Sequence, residues 1–340
     1  MSQNRVSMTT DAEAQRGFRV PLMFHPSHDV PDLREAERWF ERVFDRKSTS
    51  LSALIRVGNL APRPDYSIWT PISDVYFDTL DPKLYIVDGV QRLPTVEKPH
   101  LRRIAWYIDG LEGSDAASRA ISGMNAAYRT LKRHGIRVMN QAEELVEGDE
   151  APLGRFGSKR QIFFTFPEET GLSYSFLPPV PTPEFDFRTQ PGWVVPKASS
   201  DDPLGIERCS HHTVLTSQPE RALTVLRDVL GGEVFHEGRN EALGANSLYL
   251  HLSGSTIECA VPDPGTAAYA DWTERAPNDT YHSLTWKVAD LARAERHLQK
   301  QGVGIRSRTH DTIVTDPATS LGIPWGFSST LTPGDPRRPI

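Results

Sequence analysis

His282-Ser-Leu-Thr-Trp-Lys-Val288 alternates β-branched and apolar residues as a strand does, and is followed by Asp290-Leu291 and a helical pattern ending near Lys300-Gln301-Gly302-Val303. The same order occurs earlier. Arg102-Arg-Ile-Ala-Trp-Tyr-Ile108 precedes Gly110-Leu111 and a helical pattern that ends near Lys132-Arg-His-Gly135-Ile136. Gly135 and Gly302 each suit the left-handed residue that stops a helix. Each helix leads into further strands and a turn, Phe163-Phe-Thr-Phe-Pro167 with Gly171 and Ile313-Val-Thr-Asp-Pro317 with Gly322.

Working outward, a second pair appears. His25 is followed seven residues later by Asp32-Leu-Arg-Glu-Ala-Glu-Arg-Trp-Phe40, and His211 by Gln218-Pro-Glu-Arg-Ala-Leu223. Both read as a strand, a turn with a helix-starting residue, and an amphipathic helix with apolar positions three and four apart. Four strand–helix–strand units are therefore visible, two per half. The stretch from Leu177 to Gly205 is rich in Pro, Ser and Asp, which cannot sustain a helix or a central strand. It divides the chain near residue 190 and predicts a linker over 181–205.

With 340 residues the chain is long enough for two domains that each bury a core. Hydrophobic residues at 38% and charged ones at 24% describe a globular protein. A net charge of −6 offers no basic surplus for a phosphate backbone, so nucleic acid is not expected as a partner. No apolar run approaches the roughly 20 residues that span a bilayer, so no membrane partner is expected either. Residues 1–17 are polar, lack a secretory apolar stretch and read as a disordered tail. Cys209 and Cys259, the only cysteines, imply no disulfide framework, and a reducing cytoplasm fits best.

Three residues in β-like runs draw attention as metal ligands. His211 opens His-His-Thr-Val-Leu-Thr216, Glu258 lies in Ser255-Thr-Ile-Glu-Cys-Ala-Val261, and His282 opens its own run. Two imidazoles and a carboxylate suffice to hold a divalent ion with open positions for a substrate. A carboxylate inside an apolar strand is costly without a partner. A register slip of one residue would substitute His212 for His211; alternation points Cys209 and Cys259 away from the site.

The order and fourfold recurrence of these units resemble the vicinal oxygen chelate superfamily, the glyoxalase, bleomycin-resistance and extradiol-dioxygenase group, over residues 18–178 and 206–332. The resemblance implies an α+β fold of two domains, 18–180 and 206–333, each a pair of βαβββ modules forming a cup-shaped mixed sheet with helices outside. It implies metal ligands on the first and last strands of paired modules: His211, Glu258 and His282, with the fourth position at Gly326, which has no side chain to coordinate. In the first half the equivalents are His25, Asp74, Arg102 and Ser175. A guanidinium at a ligand position repels a cation, so that half is expected to hold no metal, with His100 as an alternative to Arg102.

The implied function is a metal-dependent enzyme using Fe(II) or Mn(II), similar to extradiol dioxygenases and acting on an aromatic or polycyclic hydroxylated small molecule. A redox-neutral isomerase, epimerase or lyase and a metal-free binding protein are the alternatives, and self-association into a homo-oligomer is left open. Tyr249, Tyr281 and His251 are candidate acids or hydrogen-bond donors near the cup, although each also suits a structural role. Trp106 and Trp286, at equivalent places, read as core. The basic segment Arg155-Phe-Gly-Ser-Lys-Arg160 reads as a solvated hairpin or as steering for an anion.

Overall fold

The computed structural model describes residues 10–54, 65–154, 160–179 and 185–337. Residues 1–9 of the expected tail, 181–184 of the linker and 155–159 of the basic segment lie outside the described residues. Asp11–Arg16, assigned by composition to the tail, instead form helix α1, capped reciprocally by Thr10 and Glu13.

The four modules stand as the repeat predicts. The first comprises β1 (Met23–Asp29), α2 (Leu33–Trp39), β2 (Thr49–Ser50), β3 (Ser67–Ile72) and β4 (Val75–Leu80). The second comprises β5 (His100–Tyr107), α3 (Ala116–Arg133), β6 (Val138–Met139), β7 (Phe163–Thr165) and β8 (Ser173–Leu177). In the second half, β9 (Ile206–Leu215), α4 (Pro219–Leu223), β10 (Glu233–Asn240), β11 (Ala245–Leu252) and β12 (Ser255–Pro262) make the third. After helix α5 (Ala267–Thr273), the fourth comprises β13 (Thr280–Val288), α6 (Leu291–Lys300), β14 (Ile305–Arg308), β15 (Thr312–Thr315) and β16 (Gly326–Ser328).

Each half is one eight-stranded sheet, ordered β6-β7-β8-β5-β1-β4-β3-β2 and β10-β11-β12-β9-β13-β16-β15-β14. Every module's first strand pairs in parallel with its own last strand, and the two first strands of a half pair antiparallel. The helix in each module is the crossover that a parallel pair requires. Gly135 and Gly302 have φ of 74° and 77°, the left-handed stops expected after α3 and α6.

A single apolar cluster runs through both halves and includes Trp39, Phe40, Phe44, Trp286 and Trp325. Trp39 stacks on Trp325 at 6.0 Å, and Phe44 meets Trp325 edge-on at 5.1 Å. Trp106 and Trp286 are fully buried, as their core reading requires, and Cys209 and Cys259 face the same core as free thiols. Hydrogen bonds also cross the seam, among them the His28 imidazole Nε2, 3.0 Å from the Leu321 carbonyl, and Ser73, which donates to the Glu207 carbonyl.

Because one core serves both halves, Trp325→Ala should cost about 3–5 kcal/mol and shift one cooperative urea transition of the whole chain; a transition that splits in two would contradict the shared core. The same burial sets an acid response. Burial holds both His28 and His212 down to about 3, whereas an unfolded histidine titrates near about 6.5. The unfolded chain therefore binds protons that the folded chain refuses, and stability contributed by these neutral imidazoles is lost as pH falls from about 6.5 toward about 3. Urea midpoints at about pH 7.5 and about pH 5 should differ, and less so for His28→Gln combined with His212→Gln.

Candidate functional site

Strand register decides which side chains share the inner face of the second cup. Thr213 lies beside Glu258 in the parallel β9–β12 pair, opposite Ser283 in the antiparallel β9–β13 pair, and two residues from His211, itself opposite Thr285. Across β11 and β12, Tyr249 lies opposite Glu258. Strand alternation thus puts His211, Thr213, Tyr249, Glu258, Ser283 and Thr285 on one face.

Glu258 is completely buried and ringed by donors. Thr213 Oγ1 donates to Oε2 at 2.5 Å, while Tyr249 OH and Asn240 Nδ2 both donate to Oε1 at 2.7 Å. Burial alone would push its carboxyl up, but His211 and the hydrogen bonds from Thr213 and Asn240 outweigh this and hold it below the ordinary glutamate range. Glu258 is therefore an anion. The neighbouring His211 Nε2 stands 3.4 Å from Oε2, yet makes no hydrogen bond, while Nδ1 lies 3.2 Å from Ser210 Oγ. Burial keeps this imidazole below its usual range, opposed by Glu258, so it is neutral at pH 7. Burial and then the Glu258 charge raise the Tyr249 phenol, which stays a donor.

His282 is not brought to this pair. A β-bulge between Thr213 and Val214 pairs them with Ser283 and Tyr281, leaving His282 as the extra residue. Its Nε2 lies 3.0 Å from Asp271 Oδ2 on α5, and Asp271 is also bound by Arg306. Gly326 lies beside Thr285, and a Cβ there would sit 2.3 Å from Thr285 Oγ1. Thr285 therefore fills the space of the absent fourth ligand. Among the described residues, no group of three or more His, Cys, Asp or Glu is placed to hold a metal ion. The donors present do not fit the ion that the resemblance implies: Glu258 already accepts three hydrogen bonds, and His282 is committed to Asp271.

The remaining candidates separate. Tyr281 faces the core, its OH 2.6 Å from His212 Nδ1, which removes both from the cup. His251 sits opposite Thr256 and lines a cleft between the halves. Asn240, Thr213 and Asp271 escaped the sequence reading; the first two were signalled only by strand parity with Glu258.

In the first half the equivalents shift. Asp78, not Asp74, occupies the Glu258 place, beside Ser27 as Glu258 is beside Thr213. Asp74 lies in the β3–β4 turn, where its Oδ1 accepts the Cys209 N–H at 2.7 Å. Arg102, in a bulge like that of His282, binds Asp29 at 2.8 Å, and His100 lies 4.0 Å from that carboxylate. Ser175 is beside Ala105, the counterpart of Gly326 beside Thr285. His25, Asp74 and His100 therefore form no second site. Instead Phe185 of the linker packs among Phe24, Trp69 and Tyr76. Arg188 follows it inward, paired with buried Asp186 at 2.7 Å and donating to the carbonyls of Asp74 and Phe24. The linker fills the first cup.

No family model and no curated protein matches the chain. Solved structures do. A Mn(II)-bound glyoxalase from Novosphingobium aromaticivorans superposes with a TM-score of 0.55 at 14% identity, covering 93% of this chain and 84% of that one. The 2,3-dioxygenase LapB from Pseudomonas sp. KL28 gives 0.55 at 10% identity, covering 95% and 96%. A mutant 4-hydroxymandelate synthase from Streptomyces coelicolor gives 0.55 at 12%, covering 92% and 94%. The chain has the two-domain α+β fold of the vicinal oxygen chelate proteins. At these identities the likeness is one of fold.

Since Tyr249 supplies one of three hydrogen bonds to a buried anion, Tyr249→Phe should cost about 1–3 kcal/mol in urea denaturation. An unchanged midpoint would show that Glu258 does not depend on that donor.

Proposed function

We propose that the second cup is the active site of a small-molecule enzyme that moves a proton, a redox-neutral isomerase, epimerase or lyase, with His211 as the base. The observation that carries this reading is the bare His211 Nε2, neutral and 3.4 Å from an ionised carboxylate held by three donors. A base must keep an unoccupied lone pair, and a buried imidazole with one free nitrogen does so at neutral pH. On taking a proton from a substrate carbon or hydroxyl, the resulting imidazolium faces Glu258, whose charge stabilises it. Thr213, Asn240 and Tyr249 keep that carboxylate ionised and fixed, so little reorganisation accompanies the transfer. Ser283 and Thr285, small and polar on the same face, supply hydroxyls to the substrate's oxygens.

The substrate class in keeping with this cup is a hydroxylated or carbonyl-bearing organic molecule, aromatic ones included. The metal-dependent, extradiol-type reading on an aromatic phenol needs a third donor beside His211 and Glu258, which His282 supplies only by leaving Asp271. The plugged first cup supports a division of labour in which a single cup carries chemistry.

Exchange of acidic protons for deuterium, followed by NMR over a panel of α-hydroxyketones, aryl ketones and acyl thioesters, tests the reading. Turnover should survive a chelator, and His211→Ala should lower it at least about 100-fold with the melting temperature unchanged. Oxygen uptake with catechols, abolished by chelation, would replace proton transfer with metal-dependent oxygenation. Tight binding with no exchange for any panel member would assign a binding protein.

A further inference from the structure

Between the two halves lies a cleft of about 580 Å³, lined by neither His211 nor Glu258 nor Tyr249. Its size is that of a small-molecule site. One wall is apolar, with Met23, Pro26 and Val75 from the first half and Trp193 and Val194 from the linker; Val194 is 75% exposed. The opposite wall carries Arg208, His251, Thr256 and Arg337 from the second half.

The hydrogen bonding there is incomplete. Arg188 is held by Asp186, and Arg337 by Asp335 at 2.6 Å while it also donates to the carbonyls of Cys209 and Ser210. Asp74 is engaged by the Cys209 N–H. Arg208, only 8% exposed, makes no direct ion pair among the described residues, although the charges of Asp74, Asp335 and Glu207 favour it from farther off, and its buried Nε has no hydrogen-bond partner. A nearly buried guanidinium with an unmet N–H is costly, and it cannot lose its proton to escape that cost. Two more polar atoms are equally unmet: Thr256 Oγ1, on a residue 1% exposed, and His251 Nδ1, directly across the strand pair from it.

We propose that this cleft is a second ligand site, separate from the cup, that binds an amphipathic organic anion, a carboxylate on an apolar body. The carboxylate pairs with Arg208 and takes hydrogen bonds from Thr256 and His251, while the apolar body lies against Val75 and Trp193. Recognition of this kind combines one charge-assisted contact with burial of apolar surface. The assignment is independent of what the cup does.

Titration with 8-anilinonaphthalene-1-sulfonate, an amphipathic anion that fluoresces in apolar surroundings, reads the site directly. The full chain should bind one equivalent, displaced by decanoate and not by decanol. Arg208→Gln should weaken both anions at least about tenfold with a nearly unchanged melting temperature, because no direct ion pair among the described residues is lost with it. Val75→Trp, which fills the cleft from the opposite wall, should abolish binding, and His211→Ala should leave it as in the wild type. Equal affinity in wild type and Arg208→Gln, displacement by decanol as readily as by decanoate, or loss of binding in His211→Ala would each overturn the proposal. Should Arg208→Gln fail to fold, Val75→Trp decides: retained binding refutes the site.

Discussion

Everything in the second cup depends on the parallel pairing of β9 with β12. That pairing places Glu258 beside Thr213 and lets His211, two residues earlier, reach the carboxylate. A carboxylate in this position, with no access to water, requires donors on every side, and the neighbouring strands supply them from Thr213, Tyr249 and Asn240. Shifting the pairing by one residue would turn Glu258 into the apolar core and Ile257 into the cup. The buried charge and the register therefore specify each other: the anion is tolerable in one alignment, and that alignment creates the site.

The modular architecture was legible because it rests on periodicity, which four repetitions make hard to mistake. His211, Glu258 and Tyr249 were legible for the same reason, being tied together by alternation along regular strands. Where the reading went astray, strand regularity failed. His282 and Arg102 each sit in a bulge of the pairing between first strands, and a bulge leaves no mark in composition. The resemblance implies Asp74 as the counterpart of Glu258, whereas the strand pairing puts Asp78 in that place. Fifty-three residues separate His25 from Asp78 and forty-seven separate His211 from Glu258, so the first module is longer between these places and Asp74 falls in the turn. Gly326 was visible as a missing ligand; what took its space, Thr285 across the strand pair, was visible only in three dimensions.

The shared core gives the seam between the halves a second meaning. Aromatic side chains from α2 and its continuation pack on Trp286 and Trp325 of the second half, so the relative placement of the two sheets is fixed by close packing and not by a flexible tether. A cleft between halves so joined keeps its shape without a ligand. Its apolar wall comes from the first half and the linker and its Arg208 guanidinium from the second half, and only the intact chain brings them face to face.

The linker that enters the first cup is, in effect, a ligand that cannot dissociate. Phe185 and Arg188 are tethered within a few residues of their binding groove, so their local concentration there does not change with dilution. A free solute competing for that groove would face an occupant present at fixed, high effective molarity. The chain has thereby settled which of its two like-shaped cups is denied to outside solutes, by saturating it with itself.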